Sequence, residues 1–159
     1  MYRRLVERQI RRLWEAANQA DLDTVLAQFA PEFHYVGLAA GTPLAADCHT
    51  LDELREHLVT VAVTFPGVHY HVNAVMVGGW PHHTRVITVV DVQAPLADGT
   101  RYVNQIVQHV RLRWGKVVEA RALLDLQKVQ DALARQSASN SRQLAGQHHQ
   151  RVRTEEGIR

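Results

Sequence analysis

The sequence predicts a single α+β domain in which helices come first and an antiparallel sheet follows. Up to the Pro66-Gly67 pair, apolar residues recur every three or four positions, which is the period of an amphipathic helix. Beyond that pair, apolar and polar residues alternate, as in a strand with one buried face. The chain has 159 residues, of which 46% are apolar and 21% charged, and this composition suits one domain with one core.

Three helices are predicted in the first part of the chain. In residues 1–18 the apolar positions share one face and arginines lie between them. Asp21 is an N-cap for a short second helix, which Pro31 stops. Thr50 and Glu53 form a capping box, in which hydroxyl and carboxylate each accept from the other's backbone N–H, and this box begins a third helix.

The strands form one early element and a later meander of four. Residues 33–36 are a short strand candidate, and 37–49 read as a loop because glycine, proline and alanine dominate there. Asp98-Gly99 predicts a two-residue hairpin turn, and 79–83 a second turn. The meander strands are predicted at 68–78, 85–94, 101–114 and 117–124.

The end of the chain differs in composition from the rest. A last helical piece follows Asp125 and carries Leu126, Val129 and Leu133. Ser, Asn, Gln, Arg and His then dominate residues 137–159. We therefore expect a folded domain over 1–136 and a polar, mobile C-terminal tail over 137–159.

Charge and cysteine content restrict the partners and the compartment. Lys and Arg number 18 against 16 Asp and Glu, so nothing demands a nucleic-acid partner. No apolar stretch approaches the length of a membrane span, and Cys48 is the only cysteine. The arginine-rich start is also compatible with a transit peptide, although Glu7 and Glu15 interrupt its charge. We expect a cytoplasmic protein that binds neither nucleic acid nor membrane.

Four segments carry a family resemblance. They are ADLD at 20–23, FAP at 29–31, VQHVRL at 107–112 and GKVVEARALLD at 115–125. Together they resemble the nuclear transport factor 2-like superfamily, and within it the ketosteroid isomerases and SnoaL-like polyketide cyclases. The resemblance implies a cystatin-like α+β barrel, in which a cone-shaped, curved antiparallel sheet wraps around the N-terminal helices and leaves a pocket.

The isomerase chemistry implied by this resemblance carries over only in part. The tyrosine donor of the first helix falls on Leu13, and the protonated aspartate of the penultimate strand falls on Gln108. The base falls near His34 or Tyr35. On the last strand, pocket-lining positions of the family fall on small or apolar residues, which are Ala120, Ala122 and Leu124.

The predicted hairpin register points to a polar site. A two-residue turn places Asp91 opposite Ile106, with Asn104 and Gln108 diagonal to it on the same face. Asp91 is then the candidate general base, Gln108 and Asn104 hold a substrate oxygen, and His34 is an auxiliary acid or base from the rim. The alternative is that Asp91 only accepts hydrogen bonds from the two amides. Tyr35, Ile106, Ala122 and Leu124 are the expected substrate-binding neighbours.

No metal or other cofactor is expected. Of the ten histidines, His69 and His71 share a strand face, but His82 and His83 lie at the other end of a hairpin. No set of three ligands with suitable spacing is visible in the sequence. Cys48 has only His49 beside it and is expected to be a bystander.

The opposite face of the sheet predicts a partner. The same register places a set of apolar residues on the outer face: Val86, Val90, Val92, Val103, Val107, Val117 and Leu123. Such a face in a small protein favours a homodimer, unless a terminal helix covers it.

The combined expectation is a small-molecule-binding domain. In one form it is an isomerase or cyclase that abstracts a proton next to a carbonyl of an apolar or polycyclic substrate. In the other it is a non-catalytic ligand-binding or oligomerisation module, because the tyrosine and aspartate donors are missing.

Overall fold

A computed structural model describes the backbone of residues 1–156 and the side chains of residues 1–145. It confirms the predicted α+β class: helices come first and a curved, unclosed sheet of six strands packs against them. The elements are α1 Tyr2–Asn18, α2 Leu22–Leu26, β1 Phe29–Leu38, β2 Ala46–Cys48, α3 Leu51–Thr64, β3 His69–Trp80, β4 His83–Pro95, β5 Arg101–Arg113, β6 Lys116–Leu124 and α4 Leu126–Glu156.

The sheet is antiparallel except at one place. Its strand order is β2-β1-β6-β5-β4-β3. The meander β3 to β6 is antiparallel throughout, whereas the early strand β1 joins its far edge parallel to β6. β1 therefore brings residues from the start of the chain beside the last strand, and the short β2, within the segment predicted as a loop, extends the edge.

Helix α1 fills one end of the concave face. Its apolar stripe buries Val6, Ile10 and Trp14 against sheet residues that include Val90 and Leu112. The Asn18 side chain ties the helix end to β3: it donates to the Tyr70 carbonyl and accepts from the Tyr70 N–H, both at 2.8 Å. The first helix is thereby held on the sheet by both apolar burial and hydrogen bonds.

Helix α3 covers the other part of this face. The predicted capping box is confirmed, because the Thr50 hydroxyl accepts from the Glu53 N–H at 3.2 Å and the Glu53 carboxylate accepts from the Thr50 N–H. Leu54 is buried with Phe33 and Cys48 under the helix. The helix is thus fixed at its first turn beside the β1–β2 edge.

The C-terminal helix is longer than the predicted helical piece. Val129 and Ala132 of α4 are buried against Phe65 and Tyr102. The helix continues to Glu156, so the predicted boundary between residues 136 and 137 falls inside it. Mobility of the tail remains a prediction. None of the described helices is long and apolar enough to cross a membrane.

The β4–β5 register differs by one residue from the predicted one. The turn has three residues between Leu96 and Thr100, whose N–H and carbonyl bond at 2.8 Å, and Gly99 has a φ of +83°. Such a loop, with glycine in the left-handed region, is the common three-residue hairpin. Asp91 consequently pairs with Gln105 instead of Ile106.

This shift moves every β4 side chain to the other face, because side chains alternate along a strand. The predicted inner-face position of Asp91 is therefore wrong. The predicted outer face is wrong for the β4 valines and for Val117, since Val86, Val90 and Val92 are all buried in the core with Val117. It holds for three residues of the list, which are exposed on β5 and β6: Val103, Val107 and Leu123.

Candidate functional site

An apolar cavity of about 130 Å³ lies between α1, α3 and the concave face of the sheet. Nearly all of its wall is aliphatic or aromatic. The polar groups come from six side chains on five elements: Trp14, Tyr35, His57, Tyr70, Tyr102 and Gln108. Among the lining residues that the structure describes there is no Asp, Glu, Lys or Arg. An apolar wall with a few convergent polar groups is typical of a small-molecule site.

The structure brings five of the predicted site residues to this cavity. Tyr35, Ile106, Gln108, Ala122 and Leu124 all line it. The β5 and β6 residues arrive together because Ile106 pairs with Leu124 and Gln108 with Ala122. Tyr35 joins them from β1, opposite Ala120 of β6. Their position is as expected, and their role in binding remains a prediction.

Asp91 does not belong to this group. It is exposed on the convex face, where its carboxylate accepts a hydrogen bond from Gln105 Nε2 at 3.0 Å. Hydrogen bonds from Asn73 and Gln105 hold the pKa of Asp91 below its ordinary value. A low pKa in water is opposite to the raised pKa expected for a buried general base. The arrangement of Asp91 with two inner-face amides is therefore not formed.

Asn104 is buried but has a different task. Its Nδ2 donates to the Tyr102 hydroxyl and to the Asp125 carbonyl, both at 2.9 Å. Its Oδ1 accepts from the N–H groups of Gln105 and Asp125. Asn104 thus connects β5 to the start of α4 and does not line the cavity, contrary to the prediction that it holds substrate.

His34 also points away from the cavity. It lies half-buried on the convex side of β1, and its Nε2 is 2.7 Å from Asp47 Oδ1. Its ring stacks on that of His49, with 4.4 Å between the centroids. The expected role of His34 as an auxiliary group at the rim is therefore not supported by its position.

His57 is the titratable cavity residue that the sequence interpretation missed. It lies on α3, half-buried, with its ring 5.4 Å from that of Tyr35. Burial lowers the pKa of His57, so its imidazole is neutral at pH 7. A signal was present: His57 stands three residues after Leu54 and four before Val61, within the apolar stripe of the helix.

Trp14 presents an unused hydrogen-bond donor. The side chain is 8% exposed and lines the cavity. Its indole Nε1–H is buried without a hydrogen-bond partner among the described residues. A buried donor without a partner is unfavourable by about 1 to 3 kcal/mol, so an oxygen of a bound ligand would gain from meeting it.

The tyrosine hydroxyls complete the polar set. Burial raises the pKa of Tyr35 well above its ordinary value and that of Tyr70 to about 12. Both phenols are therefore neutral at physiological pH and keep their protons for donation. The cavity can thus offer neutral donors and one neutral imidazole base to an oxygen-bearing apolar molecule.

Comparison with protein families identifies the domain. The family model described as SnoaL-like domain matches residues 10–120, which is more than half of the chain. A search of curated proteins finds no match.

Solved structures with the same fold are numerous. TerC, crystallised with polyporic acid, has a TM-score of 0.70 at 15% identity, covering 81% of this chain and 98% of its own. IdmH from Streptomyces antibioticus, a candidate polyketide cyclase, has a TM-score of 0.67 at 18% identity, with 81% and 98% covered. AclR from Streptomyces galilaeus, a candidate hydroxylase, has a TM-score of 0.65 at 17% identity, with 82% and 85% covered. At these identities the likeness concerns the fold.

Proposed function

The chain belongs to the SnoaL-like domain family, and from this premise we propose that its cavity binds an apolar, ring-containing carbonyl compound and moves a proton beside the carbonyl. The observation that carries this proposal is a neutral histidine, His57, in an apolar cavity that also holds the unpaired Trp14 donor. Imidazole is an effective general acid and base near pH 7.

The size and wall of the cavity support a compact apolar ligand. An apolar cavity of roughly 150 Å³ accepts a molecule such as benzene, so about 130 Å³ suits one ring, and a polycyclic compound requires the wall to open. TerC, which shares the fold, was crystallised with polyporic acid. A small organic ligand bearing oxygen atoms is consistent with both observations.

The proposed step is an enolisation followed by reprotonation. The neutral His57 takes a proton from the carbon next to the carbonyl, and the electron pair of that C–H bond moves to give an enolate. The Gln108 amide and the Trp14 N–H donate to the enolate oxygen, where negative charge develops. The imidazolium then returns a proton to the same carbon, which exchanges that hydrogen, or to another carbon of a conjugated enolate, which moves a double bond; no atom is gained or lost. In this scheme His57 takes the role first assigned to Asp91.

A second candidate function is ligand binding without turnover. It is favoured by one observation: no carboxylate lines the cavity among the described residues. Because no described residue supplies a carboxylate there to act as a general base, the cavity is also suited to bind a carbonyl compound without changing it. The two functions differ only in whether a proton is exchanged.

Binding and exchange can be tested separately. Trp80 and Trp114 are both 72% exposed, so a Trp80→Phe/Trp114→Phe variant leaves Trp14 as the only one of the three tryptophans and a reporter for the cavity. Titration with cyclohexanone, a ketone of one ring, should change its fluorescence saturably. Proton exchange is then followed by NMR as deuterium incorporation from D₂O at the carbon beside the carbonyl.

His57→Gln is the decisive variant, and His69→Gln, an exposed histidine on β3, is its matched control. We expect His57→Gln to keep cyclohexanone binding and to lower the exchange rate by about 100-fold, within the usual range for losing a general base. The control should exchange like the parent. Binding with no exchange above buffer in the parent establishes the non-catalytic function. Absence of saturable binding overturns both functions.

We further propose that the convex face joins two copies of the chain. One row of paired residues crosses five of the six strands, from β3 to β1, and is entirely apolar: Ala74, Val89, Val107, Leu123 and Leu38. Val107 is 39% and Leu123 46% exposed near its centre. If two copies pack face to face about a two-fold axis that passes through this row, each copy buries the same apolar patch.

Light scattering after gel filtration tests this assembly. The expected mass is twice the 18.0 kDa of the chain. Val107→Lys should reduce it to the monomer, whereas Val63→Lys on the exposed surface of α3 should not. A monomeric parent protein, or a dimer that survives Val107→Lys, would contradict the proposal.

The cytoplasm remains the proposed compartment. Cys48, the only cysteine, is a free thiol buried beneath α3. Burial is the main reason why the pKa of Cys48 is raised, which makes the thiol unreactive. A reducing environment suits such a protein.

A further inference from the structure

Three side chains with metal-ligating atoms converge at the β1–β2 edge, outside the cavity. They are His34, Asp47 and His49, whose ligating atoms all lie within 4.8 Å of one another. The Asp47 Oδ1 atom is 2.7 Å from His34 Nε2 and 3.3 Å from His49 Nε2. Among the described residues this is the one group of three or more with that geometry.

The strand register explains why these residues meet. β1 and β2 are antiparallel, with Tyr35 opposite Cys48 and Val36 opposite Asp47. Continuing that register by one residue places His34 opposite His49. Because alternate residues share a face, His34, Asp47 and His49 all point to the convex side, while Tyr35 and Cys48 point inward.

The backbone around the group is held in place. The Glu53 carboxylate accepts from the His49 N–H at 2.8 Å as part of the first turn of α3. The two imidazole rings are stacked within 12° of parallel, so one ring turns about its Cβ–Cγ bond when both Nε2 lone pairs face one ion. The carboxylate across from His34, that of Glu119, is already paired with Arg111 at 3.2 Å and lies near Arg121 at 3.7 Å. Asp47 is therefore the carboxylate free to act as a ligand.

We propose that His34 Nε2, Asp47 Oδ1 and His49 Nε2 bind one divalent transition-metal ion, for which Zn²⁺ is the best match. Ligands about 2.0 Å from a tetrahedral zinc ion stand about 3.3 Å apart, close to the spacing of these atoms. Two imidazoles and one carboxylate are a common set for such ions and leave a position for water. When the ion binds, His34 coordinates through Nε2 as the neutral tautomer with its proton on Nδ1, and the metal replaces the hydrogen bond between His34 and Asp47.

The ion would act on the cavity through its wall. The loop between β1 and β2 contributes Ala39 and Leu44 to the lining. An ion bound by His34 of β1 and by Asp47 and His49 would link the two strands that flank this loop and restrict its movement. The metal site therefore braces one wall of the cavity without contacting its contents.

Calorimetric titration of the untagged full chain with Zn²⁺ tests the site. The expected stoichiometry is one ion per chain. His34→Gln/His49→Gln should weaken binding at least about tenfold, as expected for lost ligands. The matched control is His69→Gln/His71→Gln. It removes two exposed histidines of β3, of which His71 lies opposite Asp91 of β4. Both double variants retain eight of the ten histidines, so only position distinguishes them.

A spectroscopic and a thermal measurement complete the test. Co²⁺ should give visible absorption bands of a low-coordinate site in the parent and the control but not in His34→Gln/His49→Gln. Zn²⁺ should raise the melting temperature of the same two proteins only. Equal Zn²⁺ affinity in the two double variants overturns the proposal, as does a parent protein with no saturable binding. Asp47 and His49 are exposed and His34 is only half-buried, so circular dichroism is expected to show all variants folded.

Discussion

The two faces of the sheet hold their polar groups in opposite ways. On the concave face, Gln108 and the neighbouring Trp14 and His57 meet a nearly apolar cavity. On the convex face, Asp91 and His34 are paired with other polar side chains at the surface. Burial away from water shifts the pKa of a side chain and leaves its hydrogen-bonding groups open to a ligand, whereas a solvated group is already satisfied by water or a neighbour. The face on which a residue lies therefore matters more than its type.

The largest effect of this difference is expected in stability. Leu112 is fully buried on the concave side, and Val103 is 56% exposed on the convex side. Leu112→Ala should lower the free energy of unfolding by about 3 kcal/mol, because it removes packing and leaves a void. Val103→Ala should change it by less than about 0.5 kcal/mol. Urea denaturation measures both. Similar losses would mean that the two faces are equally covered.

Filling the cavity should separate binding from folding. Ala120 lines the cavity from β6, opposite Tyr35. Ala120→Leu occupies part of the space, so affinity for cyclohexanone should fall at least about tenfold, with a stability change of about 1 to 3 kcal/mol. Ala62→Leu on the exposed side of α3 is the control and should leave affinity unchanged. Unchanged affinity in Ala120→Leu would place the ligand elsewhere.

Acid should reveal the buried histidine. Because burial lowers the pKa of His57 in the folded state, the unfolded chain binds a proton first as pH falls. Above about pH 6.5, the pKa of histidine in the unfolded chain, His57 is neutral in both states and does not lower the free energy of unfolding. As the pH falls from there through the lower pKa of the folded state, the free energy of unfolding decreases. One such group contributes at most about 1.4 kcal/mol per pH unit. In urea titrations, His57→Leu should have a shallower slope than the parent over this interval. Parallel curves would show that His57 is solvated.

The smallest effect is expected at Asp91. Because its carboxylate lies on the convex face, Asp91→Asn should leave cyclohexanone binding and deuterium exchange within about twofold of the parent. The measurements are the fluorescence titration and the NMR exchange assay. A loss of exchange in this variant would return Asp91 to the cavity and would contradict the β4–β5 register.

Local signals predicted the elements well, and one turn decided the error. The capping box, the Asp21 cap and the meander strands all appear close to their predicted places. Asp98-Gly99 predicts a two-residue turn, whereas the chain forms a three-residue loop. The residues of β4 argue against the two-residue turn. Arg85, Asp91 and Gln93 all lie on one face of the strand, and their polarity favours exposure of that face to water. Polarity within a strand was here the better guide than turn type.

By itself the sequence determined the α+β order of elements, their caps and the apolar stripes, because these depend on neighbours within a few positions. It also placed Gln108 and Ile106 correctly on the inner face of β5. Only the tertiary structure decided that β1 lies parallel to β6, that His57 enters the cavity, and that His34, Asp47 and His49 meet. Those contacts join residues that are far apart in the chain or that meet only through strand pairing. A shift of one residue in that pairing moves every side chain of a strand to the opposite face.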